Sequence, residues 1–287
     1  MNPDDDKLDA GLYLVSVPIG AARDITLRAL DILRNADVLA AEDTRAMRRL
    51  LEIHGIAVGD RPLLAYHDHN GARMRPRLLK DLAAGKSLAY ASEAGTPLVA
   101  DPGYALARDA REAGHPVTAA PGATAAIAAL TISGLPSDRF MFAGFLPNTK
   151  SKRKSALRDL AGIPATLILY ESPKRITAML NDAAEVLGQD RPAALCREIT
   201  KRFEEVRKGS LTDLADSCQN DPPRGEIVVL IGQSDSGNIS ESDIETHLRR
   251  ALGEMSVRDA ADHVSAELNI PRRDAYQMAL ALNKAGG

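Results

Sequence analysis

From Leu12 to about Ser133, apolar runs of four to six residues alternate with longer stretches of helical period, and this alternation restricts the fold more than any other feature of the chain. The runs are Leu12 to Val17, Val38 to Ala41, Leu63 to Tyr66, Leu88 to Ala91 and Val117 to Ala120. The helical stretches are Thr26 to Asn35, Thr44 to Glu52, Arg73 to Ala84, Tyr104 to Ala113 and Ala123 to Ser133. Short apolar strands, each followed by a helix, read as βαβ units with a mostly parallel sheet. A first α/β domain is expected over residues 11–134.

After Gly134, Pro136 and Asp138 the pattern changes. Strand-like runs fall at Phe140 to Gly144, Ala165 to Tyr170, Ala193 to Arg197, Phe203 to Lys208 and Glu226 to Ile231, with helical stretches near Ser151 to Leu160 and Arg175 to Leu187. The last two runs lie too close for a full helical crossover, so part of this sheet should be antiparallel. A second α/β domain is expected over residues 135–233. The remainder, 234–287, reads as a Ser/Asp/Asn/Gly linker (Ser234 to Ser242) and a small helical appendage. Residues 1–10 are polar and acidic and read as a disordered tail without the basic and apolar regions of a signal peptide, so a cytoplasmic location is expected. Cys196 and Cys218 are too few and too far apart for a disulfide framework, which agrees with a reducing compartment. A net charge of −3 leaves nucleic-acid contact to local patches.

Three Gly/Pro turns each close a strand-like run: SVPIG (Ser16 to Gly20), SEAGTPLVADPG (Ser92 to Gly103) and APGATAA (Ala120 to Ala126). In an open α/β sheet the carboxyl ends of the strands share one edge, where ligands bind, so the three turns are expected to line one cleft. The middle one lacks the Lys-Ser/Thr ending of a nucleotide P-loop, and a ligand gripped by backbone groups suits it better than a triphosphate. Charged groups gather at the same edge. AEDTR places Glu42, Asp43 and Arg45 where the second strand ends, and Thr44 could cap the following helix with Asp43 near its amino end. YHDHN follows the third strand, but no Cys/His/acid cluster completes a coordination shell around His67 and His69, so contact to a substrate or hydroxyl is expected rather than a metal. ESPKR (Glu171 to Arg175) and CREITKRFEE (Cys196 to Glu205) put acid and base together in the second domain, where Lys174, Arg175, Arg197 and Lys201 could hold phosphates or simply form ion pairs. KSKRK, with Lys150, Lys152, Arg153 and Lys154 in a loop running into a helix, is the sharpest basic feature and a candidate RNA-binding patch. Tyr and Phe together number only ten, and Trp is absent, so a base-stacking sheet surface of the RRM or OB kind is not suggested.

VPIG, DITLRAL, AEDTR, YHDHN, EAGTPLVADPGY, PGATA, FAGFLP, ESPKR and CREITK, in this order and spacing, resemble the S-adenosylmethionine-dependent tetrapyrrole methylase superfamily, and within it the branch of the 16S rRNA 2′-O-ribose methyltransferases I. The resemblance covers about Leu12 to Gly232, and the appendage resembles that branch's tail. It implies two α/β domains with the cofactor cleft between them, usually in a homodimer, and methylation of the ribose of a cytidine in the decoding centre of 16S rRNA or of the small ribosomal subunit. By position, the donor S-adenosylmethionine would be held around Pro18 and Gly20, by Glu93, Ala94, Gly95, Thr96 and Pro97, by Gly122, Ala123 and Thr124, and near Gly144 and Phe145. Branch members commonly carry Asp where this chain has Glu93.

Methyl transfer from a sulfonium is an in-line displacement in which the protein mainly aligns the acceptor. A ribose hydroxyl is a very weak acid, so a base or a cation near the developing alkoxide should help. Glu42 or Asp43 is the first candidate for base or orienter, with Arg45, Lys174 and Arg197 as electrostatic partners, and His67 is the second. Two other readings stay open: a porphyrinoid C-methyltransferase with the same fold and donor, and a non-catalytic ribosome-assembly factor that binds RNA.

Overall fold

The computed structural model describes residues 7–233, 241–268 and 270–285. The first sheet is fully parallel in the order β3-β2-β4-β1-β5, from β1 (Gly11–Val15), β2 (Val38–Ala41), β3 (Leu63–Ala65), β4 (Ser87–Ala91) and β5 (Val117–Ala120). The helices α1 (Leu27–Asn35), α2 (Thr44–Ile53), α3 (Gly71–Ala83) and α4 (Tyr104–Glu112) cover it. β2 and β4 are buried at every position, which is why they read as unbroken apolar runs. One core, with Ile32, Leu33, Met47 and Leu51, lies on the α1 and α2 face, and a second, with Leu78, Leu82, Tyr90 and Leu106, lies on the α3 and α4 face.

The second sheet is mixed, in the order β6-β7-β10-β8-β9: β6 (Phe140–Phe145), β7 (Thr166–Glu171), β8 (Pro192–Arg197), β9 (Glu205–Ser210) and β10 (Ile227–Ile231). β6 and β7 are parallel, whereas β10 runs antiparallel to both β7 and β8, and β9 antiparallel to β8. The strand made last therefore sits in the middle. A helix unmarked in the sequence reading, α8 (Leu211–Asn220), connects β9 to β10; its start is fixed by a reciprocal capping box between Ser210 and Asp213. With α6 (Lys150–Ala161) and α7 (Ile176–Leu187) it covers one face of the sheet around Leu157, Leu180 and Leu214.

The helix α5 (Ala125–Ser133) decides how the two sheets meet. Its sequence AAIAALTIS is apolar on nearly all sides, so it cannot rest at a surface. Ala126, Ala129 and Leu130 pack on Ile168, Ala194, Cys196, Val228 and Leu230 of the second sheet, with Ile19 and Ile199 in the same cluster. The last helix of the first α/β unit thus seals the open face of the second.

Three helices end the chain, α9 (Glu241–Leu252), α10 (Val257–Leu268) and α11 (Arg272–Ala285), packed around Leu248, Ala260, Val264, Ala275 and Ala279. Of the linker expected over Ser234 to Ser242, residues 234–240 lie outside the described residues, and the last two already belong to α9. Of the tail expected over residues 1–10, 1–6 lie outside the described residues, whereas Leu8 is buried in the α1 and α2 core. No helix among the described residues is long and apolar enough to cross a membrane.

Candidate active site

The turn after β1 is bonded directly to the turn after β4. Val17 N–H donates to the Gly95 carbonyl at 2.9 Å and Gly95 N–H returns to that of Val17 at 3.1 Å. The Thr96 hydroxyl lies 3.0 Å from that of Ser16 and donates to the Ala123 carbonyl at 2.9 Å, which brings in the turn after β5. This fit demands a glycine at position 122, because a Cβ there would lie 2.7 Å from Ser16 Cβ. The three turns form one hydrogen-bonded rim.

Behind this rim a cavity of about 370 Å³ opens between the two sheets, a size suited to a small cofactor. The first sheet contributes Ile19, Ala94 to Thr96, Val99 to Asp101, Thr124 and Ala125 to its wall; the second contributes Phe145, Tyr170 to Pro173 and Gly225 to Val228. Tyr170 joins the two sides, since its hydroxyl accepts from Ala126 N–H at the start of α5 at 3.1 Å. The ring of Phe145 stands edge-on to it at 5.6 Å. Gly144, at φ 64°, forms a bulge in β6 that shifts the register after Phe142 and redirects Phe145.

Asp101 carries the most perturbed carboxyl on this wall. Burial raises it to about 6; Glu42, and behind it Glu93 and Asp68, push the same way, against a lowering hydrogen bond with Ser92. Its segment is held in a constrained shape. Leu98 and Ala100 adopt left-handed φ values of 72° and 60°, and Tyr90 donates its hydroxyl to the Pro102 carbonyl at 3.0 Å. Glu42 is tied to the neighbouring turn, accepting from Glu93 N–H at 3.1 Å. The sequence contains the signal for Asp101, a carboxylate in a Gly/Pro turn at a strand end, but not the burial that sets it apart from Glu42 and Asp43. Glu171, the acid expected beside a base in ESPKR, is almost fully buried on the second wall and pairs with Arg175 at 3.1 Å.

Among the residues singled out from sequence, Ala94, Gly95, Thr96, Thr124 and Phe145 line the cavity. Pro18, Gly20 and Glu93 line an adjoining recess of about 160 Å³ against α2. Pro97, Gly122, Ala123 and Gly144 are not among the wall residues, and the last three shape it through the contacts above. Gly20 has a further constraint: a Cβ there would lie 2.6 Å from both Lys201 Cγ and Thr200 Oγ1 of the second domain.

Several candidates are engaged elsewhere. Asp43, not Thr44, caps α2, accepting from Arg45 N–H at 2.7 Å and Ala46 N–H at 3.3 Å, and the Arg45 side chain first, with these backbone bonds, holds its carboxyl below the ordinary range, unfavourable for a base. Arg45 reaches into solvent and, among the described residues, pairs only with Asp43. His67 lies in the turn after β3, its Nδ1 buried without a hydrogen-bond partner among the described residues and its ring edge-on to His69 at 6.0 Å, and it is not among the residues of the cavity wall. Among the described residues no cluster of His, Cys, Asp and Glu is placed to hold a metal ion. Arg197 is bound to Glu205 along the β8–β9 hairpin. Arg175 donates to the Leu146 carbonyl at 2.7 Å and to the Asn148 side chain, which makes it a clamp on the turn after β6 and not a free phosphate ligand. Lys201 spans Glu198 at 3.1 Å and the wall residue Glu226 at 2.9 Å. Lys174 follows the wall residues Ser172 and Pro173, is exposed, and has no ion-pair partner among the described residues.

The KSKRK run is not a loop but the first turns of α6, and helical period divides it. Arg153 points inward, only 5% exposed, with Nε 2.8 Å from Asp182 Oδ2, and so leaves the candidate RNA patch. Lys154 pairs with Glu185 and is mostly covered. Lys150 and Lys152 remain exposed.

Two α/β sheets closed over a cavity rimmed by three bonded turns form the tetrapyrrole methylase fold. Cobalt precorrin-4 methyltransferase shares it with a TM-score of 0.58 at 18% identity, over 77% of this chain and 94% of that one. So does uroporphyrin-III C-methyl transferase from Thermus thermophilus complexed with S-adenyl homocysteine, with a TM-score of 0.54 at 21% identity over 78% and 98%. Residues 11–215 match the Tetrapyrrole (Corrin/Porphyrin) Methylases, and residues 238–283 match the RsmI C-terminal HTH domain. The ribosomal RNA small subunit methyltransferase I of Mesorhizobium japonicum is 45% identical over 98% of this chain and 95% of its own length; that of Synechocystis is 39% identical over 96% and 99%. The chain belongs to the tetrapyrrole methylase family and, within it, to the branch of the ribosomal RNA small subunit methyltransferases I.

Proposed function

We propose that this protein transfers the methyl group of S-adenosylmethionine to the ribose 2′-hydroxyl of a cytidine in the decoding centre of 16S rRNA. The observation that carries the reading is the nearly full-length likeness, appended helices included, to relatives named for the ribosomal RNA of the small subunit. The cavity suits the donor chemically. Ile19, Phe145, Ile227 and Val228 offer apolar surface for a base, Thr96 and Thr124 offer hydroxyls, and Asp101 and Glu226 offer carboxylates to a cationic ligand. The turns at Pro18, Gly20, Glu93 to Pro97 and Gly122 to Thr124 would support that wall. When bound, the donor supplies an electrophilic methyl.

The protein's part is to align the acceptor hydroxyl and to take up its proton. Asp101 is the group we assign to the proton, because burial and Glu42 bring its carboxyl near neutrality while leaving it on the cavity wall. Glu42 orients the turn that carries Glu93, and Lys174, without an ion-pair partner among the described residues, is placed to meet a phosphate or a developing alkoxide. On this reading residues 11–134 and 135–233 form the two halves of the donor site, Lys150 and Lys152 approach the RNA backbone, and the enzyme works in the cytoplasm as a homodimer.

The test is to incubate purified protein and labelled S-adenosylmethionine with unmodified small subunits and, separately, with naked 16S rRNA, followed by nucleoside analysis. Label in 2′-O-methylcytidine is expected, and the better substrate of the two identifies the natural one. Label only in an added porphyrinoid, or donor binding without turnover on any RNA, would overturn the proposal.

A further inference from the structure

The segment between β8 and β9, residues 198–204, also reaches the first domain. Thr200 Oγ1 accepts from Ala21 N–H at 3.1 Å, beside the close packing of Gly20. Glu198 and Thr200 hold left-handed φ values of 51° and 65° without being glycine. Several bonds enforce that shape. Glu198 N–H donates to the Glu226 carbonyl at 3.0 Å, Glu226 N–H to Glu198 Oε1 at 3.0 Å, and Thr200 N–H to Glu204 Oε2 at 2.6 Å. Lys201 joins the carboxylates of Glu198 and Glu226, and Glu226 is a wall residue of the cavity.

This constrained segment, joined to the cavity wall through Glu226, carries two outward-facing side chains. Phe203 is 60% exposed and belongs to none of the hydrophobic clusters. The Arg202 guanidinium lies over its ring, 5.4 Å from the centroid, and has no ion-pair partner among the described residues. An exposed aromatic ring is poorly placed in water, and strain in non-glycine residues persists where the surroundings over-determine it, often at binding sites. A fixed aromatic face flanked by an unpaired cation matches one partner chemistry well: an unstacked nucleobase carrying its phosphate.

We propose that Phe203, with Arg202 beside it, is a stacking platform for one unpaired base of a single-stranded RNA segment entering next to the cavity. This rests on the RNA reading above. The ring takes the base face and the guanidinium takes the phosphate, so the platform holds a neighbour of the methylated nucleotide and keeps that nucleotide's ribose at the cavity mouth. Its small number of aromatic residues does not argue against this, because one ring at the entrance serves where a sheet surface would need several.

The test compares Phe203→Ala, Phe203→Leu and Phe203→Trp in the full chain, using the RNA substrate and the donor of the methylation assay. The exposed position makes all three soluble, folded proteins, checked by thermal melting. Ala and Leu are expected to raise KM for RNA about tenfold or more, with kcat and donor affinity unchanged, and Trp to restore it. The slope of log affinity against log salt should be unchanged in the Phe203 variants and shallower in Arg202→Ala. An Ala variant with wild-type KM, or a Leu variant as good as Trp, overturns the platform. So does a change of oligomeric state in sedimentation, which would make a second copy of the chain the occupant of Phe203. Wild-type protein that neither binds nor methylates RNA overturns the underlying reading instead, and the platform with it.

Discussion

Asp101→Asn should make the protein more stable and nearly inactive at the same pH. The carboxyl is raised from 3.8 to about 6, with burial first and Glu42 second among the causes. Since the folded value lies above the unfolded one, ionised Asp101 opposes folding at every pH above 6, and the penalty fades as pH falls from 6 toward 3.8. At about 1.4 kcal/mol per pH unit between the two values the full penalty is about 3 kcal/mol. Water reaching a half-buried carboxyl reduces it to about 1–2 kcal/mol. Asn, uncharged and of the same shape, should therefore gain about 1–2 kcal/mol at pH 8, roughly 2–6 °C in melting temperature, and little at pH 4. The same change removes the proton acceptor, so single-turnover methyl transfer at saturating donor should fall about 10²–10⁴-fold. The wild-type rate should rise about tenfold per pH unit up to pH 6 and level off, and this limb should vanish in the variant. Urea melts at pH 8 and pH 4 and a rate profile from pH 5 to 9 measure both. An Asn variant no more stable than wild type at pH 8, or one retaining the acid limb at wild-type rate, would refute the assignment.

Gly20→Ala puts a Cβ 2.6 Å from Lys201 Cγ and Thr200 Oγ1, so the two domains should be forced apart and donor affinity should fall at least about fivefold by calorimetry; an unchanged affinity would mean that the contact gives way without moving the wall. Asp182→Ala leaves Arg153 buried and unpaired and should cost about 3–5 kcal/mol in urea unfolding, whereas loss of a surface pair would cost under about 1 kcal/mol. Charge reversal at Lys150 and Lys152 should weaken RNA binding at low salt and flatten its salt dependence by about two phosphate contacts, and an unaltered slope would exclude the amino end of α6 from the RNA surface.

What could be read from the chain alone was whatever depends on neighbours in sequence. β2 and β4 announce themselves because strands buried on both faces must be apolar throughout, and the three turns because Gly and Pro punctuate strand ends. What escaped depends on partners distant along the chain. Arg153 looks like its neighbours in KSKRK until Asp182 meets it across α7. Asp101 differs from Glu42 only through burial and the facing carboxylates. Asp43 displaced Thr44 as the cap by one residue, a shift of the size at which helix ends are hardest to place. Helix α8 was missed because TDLADSCQN is polar on one side and short, and its marker is the spacing of Ser210 and Asp213. The count of aromatics likewise says nothing about which ring a strained turn holds out to solvent.

The central place of β10 matters to a growing chain. While the ribosome is still making residues 211–226, β6 can pair with β7 and β8 with β9, leaving two half-sheets whose facing edges have nothing to bond. At ordinary synthesis rates of about 5–20 residues per second that interval lasts roughly 1–3 s. Exposed strand edges of this kind invite pairing between chains. β10 then enters as a keystone, bonded on both sides, and only afterwards do the appended helices emerge. A product ending before Ile227 would lack the strand that joins its two half-sheets and could not close the second sheet.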